Sequence, residues 1–329
     1  MMTTTVRKTP VAGAVHVADW RDMQAVQHEI PGTGVVMRRN QGEPHPLVPR
    51  ADADYVFRRD IVEEIAFCAE NDVRGLLVGP AGSGKSSAVM QIAAQLNVPV
   101  RRVNLNGESD TSLFTGREYP VTVEGVRQMV YRWGILPNAM TGPFWLLLDE
   151  IDAALQPVLF ILQWVLEDGG CLLLDDADST LVPPMPWTSG GGYGFRIFAT
   201  SNAVGIAGAD RVLYTGTNRM NEATLDRFGC VMHVEYMPEE QELAVIRKVA
   251  PEAKGDIFAK AIVKVATEVR KNLEDDKLSC TFSTRRCLQW ARAMHRFHPL
   301  RAAELAILNK LSREDAEVLR GIIQRYFGT

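Results

Sequence analysis

From Tyr55 onward the apolar positions fall into two alternating rhythms. "RDIVEEIAFCAEN" places Ile61, Val62, Ile65 and Ala69 at helical intervals, and the short apolar run in "VRGLLVG" that follows has the length of a buried strand. "SSAVMQIAAQLN" predicts a second helix, "VPVRRVNLN" and "GPFWLLLDE" two strands, and "ALQPVLFILQWVLEDGG" a third helix. "FRIFATSN" and "CVMHVEYM" supply two further strands. Strands that alternate with helices imply an α/β fold, a parallel sheet covered on both faces.

After "MPEEQELAVIRKVA" the pattern is almost purely helical as far as "LRGIIQRYFGT", which puts a boundary near Met237–Glu239. The expected organisation is an α/β domain over 51–237, a helical domain over 238–329, and an arm or small appendage over 1–50. That first segment has mixed polarity and ends in the proline-rich "GEPHPLVPR". Alternation about "EG" in "LFTGREYPVTVEGVRQMVYRWG" predicts a β-hairpin, and "CLLLDDADSTLVPP" is a second candidate. "WTSGGGYG", 187–194, reads as a flexible Gly-rich loop before a strand.

Composition narrows the function classes. The 329 residues are 46% apolar and 23% charged with a net charge of −4, so no global excess of positive charge points to nucleic acid. The basic stretch "TRRCLQWARAMHRFHPLR" reads as a solvated helix face. Five scattered cysteines without a CxxC pair argue against a disulfide framework or zinc cluster. His295 and His298 are close in sequence, but no acidic or cysteine neighbour completes a metal set. With no apolar leader segment and no membrane-length run, the expected location is cytoplasmic.

The chemistry concentrates in four places. "GPAGSGKSS" follows a strand and opens a helix, matching G-x-x-x-x-G-K-[ST] in residues and context. Gly79, Gly82 and Gly84 let the backbone curl so that its N–H groups converge on phosphate oxygens, in a nucleotide-binding loop that runs from Gly79 through Pro80, Ala81 and Ser83 to Ser87. Lys85 is placed to reach the β- and γ-phosphates of ATP, and the Ser86 hydroxyl to bind Mg²⁺. "FWLLLDEID" ends a buried strand on Asp149, the second expected Mg²⁺ partner, with Glu150 beside it as general base for the attacking water. Asn202 tips the strand "FRIFATSN", where a neutral amide holds that water or, alternatively, caps a turn. Finally, "NEATLDRFGC" sets Arg227 before the last strand.

Phosphate loop, Asp-Glu strand, Asn-tipped strand and late arginine, in this order, resemble the AAA+ P-loop ATPases. The resemblance implies a sheet of order 5-1-4-3-2, a helical lid over 238–329 and a ring, expected to be a hexamer. It also implies that Arg227 reaches the nucleotide of the neighbouring subunit. An intrachain salt bridge with Asp226 or another acid is the alternative, and Arg211 and Arg219 are rival fingers. In "FSTRRCLQWARAM", Arg285 resembles the lid's phosphate-sensing arginine, and Arg286 is the rival.

Several non-catalytic stretches narrow the likeness. "VPRADADYVFRRDIVEEIAF", "VPVRRVNLNGESD", "GILPNAM", "FRIFATSNAVGIAGADRVLYTGTNRMNEATLDRF" and "AILNKLSREDAEVLRGIIQRYFG" resemble the CobS-type ATPase subunits of aerobic cobaltochelatase, in the MoxR-like branch. The resemblance spans roughly 47–329. It implies a partner with a von Willebrand A domain (CobT-like), a large chelatase subunit, and ATP hydrolysis coupled to Co²⁺ insertion into a corrin ring. It also implies that the two hairpins line a central pore. Three readings compete with a chelatase motor: a MoxR-like remodelling ATPase outside cobalamin synthesis, a nucleic-acid translocase, and a scaffold that binds ATP without turnover.

Overall fold

The computed structural model describes residues 20, 22–123, 125–202, 222–251, 255–275 and 277–328. Strands β1 (Ala25–Glu29) and β2 (Val36–Asn40) form an antiparallel hairpin, and helix α1 (Arg59–Asn71) leads into β3 (Gly75–Val78) and α2 (Lys85–Gln95). Next come β4 (Val100–Asn104), α3 (Thr111–Thr115), the hairpin β5 (Gly116–Val123) and β6 (Val126–Trp133), and α4 (Ile135–Met140). β7 (Trp145–Asp149), α5 (Gln156–Leu166), the small hairpin β8 (Leu172–Leu174) and β9 (Thr180–Val182), and β10 (Arg196–Ser201) follow. α6 (Glu222–Leu225) and β11 (Cys230–His233) close this half. The remainder is α7 (Glu239–Val249), α8 (Gly255–Glu274), α9 (Thr284–Ala293), α10 (Pro299–Ala306) and α11 (Arg313–Phe327).

The central sheet runs β11-β3-β10-β7-β4, all parallel. Counting only these five strands in chain order gives 5-1-4-3-2, the expected AAA+ order. Side-chain alternation along each strand separates two apolar layers. Leu76, Leu146, Leu148, Ile197 and Ala199 face a layer filled by Val158, Leu159 and Leu162 of α5. Leu77, Trp145, Leu147 and Phe198 face the opposite layer, filled by Ile61 and Ile65 of α1 and Val89 and Ile92 of α2. Both faces are thus buried, which is why these strands read as unbroken apolar runs. The C-terminal helices enclose a separate core around Ile262, Phe282, Trp290 and Ile323. Among the described residues no helix is long and apolar enough to cross a membrane.

One expectation is narrowed and one needs correction. Of the two forms expected for 1–50, the described part has that of a small packed appendage, not of an arm. Ile30 and Met37 are fully buried in the α1–α2 layer, and Trp20 packs edge-on against Phe144 at 4.8 Å. The loop 187–194 is likewise fixed in place. Thr188 donates to the Met23 carbonyl at 2.7 Å and accepts from the Gly192 N–H at 2.6 Å, while the fully buried Tyr193 donates to Glu70 at 2.7 Å. Its glycines serve close approach: a Cβ on Gly190 would lie 2.4 Å from the Met23 carbonyl oxygen. The two expected hairpins are present as β5–β6 and β8–β9.

Candidate nucleotide site

The site forms at the C-terminal tips of β3, β7 and β10, where a parallel sheet exposes the ends of its strands. The loop between β3 and α2 turns through Gly79, Gly82 and Gly84 with φ of +152°, +76° and +103°. Gly79 lies so close to β11 that a Cβ would sit 2.2 Å from the Val234 carbonyl oxygen. Gly84 ends the loop as the cap of α2, which points its positive end at the turn. The Ser83 hydroxyl is buried and has no hydrogen-bond partner among the described residues. Ser87 lies exposed in the first turn of α2.

Three strand tips meet at Lys85. Its ammonium donates to the Gly79 carbonyl at 2.7 Å, the Pro80 carbonyl at 2.9 Å and the Asn202 side-chain oxygen at 3.0 Å. Burial pulls the Lys85 pKa down to about 8, only partly offset by Asp152, Asp149 and Glu150. Ser86 Oγ donates to Asp149 at 2.6 Å, so the two expected metal-binding residues are adjacent. Glu150 is exposed at the tip of β7, held in a left-handed conformation (φ 58°) with its N–H on Thr200 Oγ1 at 3.1 Å. Asn202 fixes its own backbone by donating to Asp152 at 3.1 Å. One hydroxyl and one carboxylate form a hard-oxygen pair suited to Mg²⁺, which takes few protein ligands and completes its shell with phosphates and water.

Four features here escaped the sequence reading. Arg102 on β4 donates to Asp149 through Nε at 2.8 Å and also through Nη2. Thr200 donates to the same carboxylate at 2.5 Å. Burial opposes ionisation of Asp149, yet the bonds from Ser86, Thr200 and Arg102 outweigh it and hold the carboxyl below its ordinary range. Asp152, 1% exposed, is the third acid beneath Lys85. A cavity lined by Tyr55, Phe57, Ile61, Val62, Val234 and Met237 opens beside Ser83 and Gly84. Arg102 alone carried a signal, a charge inside the strand pattern of "VPVRRVNLN".

The arginines divide clearly. Arg285 is exposed at the start of α9, its Cβ 4.0 Å from where a Gly82 Cβ would be, and its charge bears on Lys85. Arg286 instead turns back onto the Thr281 carbonyl. Arg227 pairs with Glu167 at 3.1 Å, not with Asp226, and also donates to the Ala223 carbonyl. It precedes Cys230, which pairs with Gly75 at the start of β3, whereas the phosphate loop leaves the other end of that strand. A four-residue strand spans about 13 Å, so Arg227 lies at the opposite end of the strands from its own Lys85. Arg211 and Arg219 lie outside the described residues.

A phosphate loop on the first strand of a 5-1-4-3-2 sheet, facing an acidic strand tip, defines the AAA+ class of P-loop ATPases. Comparison with known proteins agrees. Residues 75–228 match the AAA domain (dynein-related subfamily), and residues 242–326 match the CbbQ/NirQ/NorQ C-terminal domain. The aerobic cobaltochelatase subunit CobS of Sinorhizobium sp is 33% identical over 285 residues, 85% of this chain and 83% of that protein. Midasin of Giardia intestinalis is 31% identical over 173 residues, 53% of this chain but 3% of its own length. The Thermotoga maritima RuvB Holliday junction branch migration motor aligns over 85% of this chain and 72% of its own at a TM-score of 0.45 and 14% identity. The chain belongs to the MoxR-like, CobS-type family of AAA+ ATPases.

Proposed function

We propose that this chain hydrolyses ATP with Mg²⁺ and spends the energy on remodelling a partner protein, as the motor subunit of an aerobic cobaltochelatase-type complex. The convergence of Lys85, Ser86, Asp149, Glu150 and Asn202 on one strand-tip cluster carries the reading. Loop N–H groups and Lys85 bind the phosphates, and the apolar cavity beside Ser83 takes the base. Ser86 and Asp149 hold Mg²⁺, which when bound neutralises charge on the β- and γ-phosphates. Glu150 accepts the proton of the attacking water, and Asn202 orients that water. Arg285 approaches from the lid side. Arg227, distant from its own site, serves the site of a neighbouring copy in a ring, for which a hexamer is the expected form.

The CobS likeness supports the specific version, in which a von Willebrand A domain protein and a large chelatase subunit are the partners. The β5–β6 and β8–β9 hairpins then meet the partner in the pore. The test joins turnover to partner capture. Lys85→Ala should lose nucleotide binding, while Glu150→Gln should bind ATP with turnover reduced about 10²–10⁴-fold. The Glu150→Gln protein, loaded with ATP, should retain the von Willebrand A partner in a pull-down from a host that encodes it. Equal turnover by wild type and Glu150→Gln would sink the enzymatic reading; capture of nucleic acid in place of protein would sink the partner assignment.

A further inference from the structure

The helical lid buries a charge that the hydrolytic chemistry does not use. Glu242 on α7 is fully buried, and Arg270 of α8 grips it with both terminal nitrogens at 2.7 and 2.8 Å. Thr284 donates to the same carboxylate at 2.7 Å. A buried ion pair is a poor stabiliser because desolvating both charges cancels most of their attraction. Its neighbours indicate a different use.

On one side the contacts run to the phosphate loop. The Arg270 guanidinium lies 4.2 Å over the ring of Tyr236, in the segment joining sheet to lid. The Tyr236 hydroxyl donates to the Ala81 carbonyl at 3.2 Å. The Ala81 carbonyl and the Gly82 N–H share one planar trans peptide and point in opposite directions. Anchoring that oxygen on Tyr236 therefore also sets where the Gly82 N–H is aimed.

On the other side the contacts return to the same loop. Thr284 is the first residue of α9, between the capping Ser283 and Arg285. Ser283 packs against Gly82 so tightly that a Cβ there would lie 2.5 Å from the serine Cβ. One buried carboxylate is thus joined through Arg270 and Tyr236 to Ala81, and through Thr284 and Ser283 to Gly82. Both ends of the circuit fall on one peptide unit of the phosphate loop.

We propose that Tyr236, Arg270, Glu242 and Thr284 are positioning residues that lock the lid helix bearing Arg285 to the Ala81–Gly82 peptide, so that loop geometry and lid placement form one equilibrium. The inference rests on the nucleotide reading of the Lys85 loop. It goes beyond that reading because none of these four side chains lies among the groups assigned to phosphate, metal or water. Arg285 senses the phosphates only when the circuit is closed, and an open circuit removes its contribution.

The experiment is a double-mutant cycle on ATP affinity, with Kd measured by calorimetry in the presence of Mg²⁺. Glu242→Gln leaves Arg270 buried without its counter-charge and is at risk of not folding, so the cycle uses Tyr236→Phe and Thr284→Val. The first keeps the ring beneath Arg270 and deletes one hydrogen bond; the second is nearly isosteric. Each should weaken ATP binding about fivefold, the worth of one hydrogen bond. In an Arg285→Ala background each substitution should cost clearly less than it does alone, since the part of its effect that runs through that arginine is gone. Additive effects, or unchanged Kd in the single variants, would overturn the coupling. If wild type binds no nucleotide, the underlying reading fails instead, and the two failures are told apart by that control.

Discussion

Arg102 of β4 binds the Asp149 carboxylate on the oxygen that Ser86 and Thr200 leave open. The acid proposed to bind Mg²⁺ is therefore paired with a guanidinium that is itself half exposed. A cation on Asp149 competes directly with Mg²⁺, and because the guanidinium is half exposed, solvent screening cuts the worth of its charge-assisted bonds to about 1 kcal/mol. Removing the competitor should make the metal easier to bind. Arg102→Ala is expected to lower the Mg²⁺ concentration for half-maximal ATPase about three- to tenfold. A Mg²⁺ titration of turnover checks this; a rise in that concentration would show that Arg102 orients Asp149 for the metal instead.

The loop glycines differ in what they tolerate. Gly79 combines a φ of +152° with a Cβ position 2.2 Å from the Val234 carbonyl oxygen, so Gly79→Ala must push β11 away from the loop. Gly84 has a φ of +103° but nothing within 4 Å, so Gly84→Ala meets only the backbone cost. That cost is about 1–2 kcal/mol, whereas the Gly79 clash adds backbone displacement and should total about 3 kcal/mol or more. Thermal melts should rank the pair with Gly79→Ala well below Gly84→Ala. Similar Tm values would mean that the loop and β11 separate without resistance.

On α1, Glu64 is a carboxylate that folding disfavours. Its Oε2 is buried with no hydrogen-bond partner among the described residues. Burial raises its pKa, Asp60 adds to the rise, and Arg58 and His233 oppose it. A carboxyl whose pKa is raised on folding holds its proton more tightly in the native state. Stability therefore falls as pH climbs from the ordinary carboxylate value through the raised one, and the full penalty is present at neutral pH. Glu64→Gln removes that penalty. Its Tm should exceed wild type by about 1–2 °C at pH 7, and the gap should close near pH 4. A gap that stays constant with pH would assign the effect to packing.

Much of this arrangement is legible in the sequence, for a physical reason. A doubly covered parallel strand must be apolar throughout, so "GLLV" and "FWLLL" stand out, and the phosphate loop needs glycine at fixed offsets. What stayed hidden depends on three-dimensional closure. Arg102 registers with Leu147, two residues below the tip of β7, and only its length brings its charge to Asp149. The Gly-rich 187–194 segment has the composition of a flexible loop, but its glycines let the backbone lie against Met23 and Gln24. Similarly, no local pattern announces that Ile30 and Met37 fill a layer built by α1 and α2.

Arg227 offers the sharpest test of assembly. In the single chain it is held by Glu167 and the Ala223 carbonyl at the end of the strands remote from its own Lys85. An arginine that completes a phosphoryl-transfer site is worth about 10³–10⁵ in rate, so Arg227→Ala should be nearly as inactive as Lys85→Ala while still binding ATP. Mixing the two inactive proteins separates the geometries. If Arg227 serves its own subunit, every subunit in the mixture lacks one essential group and no activity returns. If it serves a neighbour, an Arg227→Ala subunit supplies an intact Lys85 site and an adjacent Lys85→Ala subunit supplies the arginine. In a random equimolar ring with head-to-tail contacts, about a quarter of interfaces carry that combination. Turnover should recover to about that fraction of wild type, with size-exclusion chromatography confirming that mixed assemblies form. Assembled mixtures that remain inactive would remove Arg227 from the neighbouring site and leave Glu167 as its permanent partner.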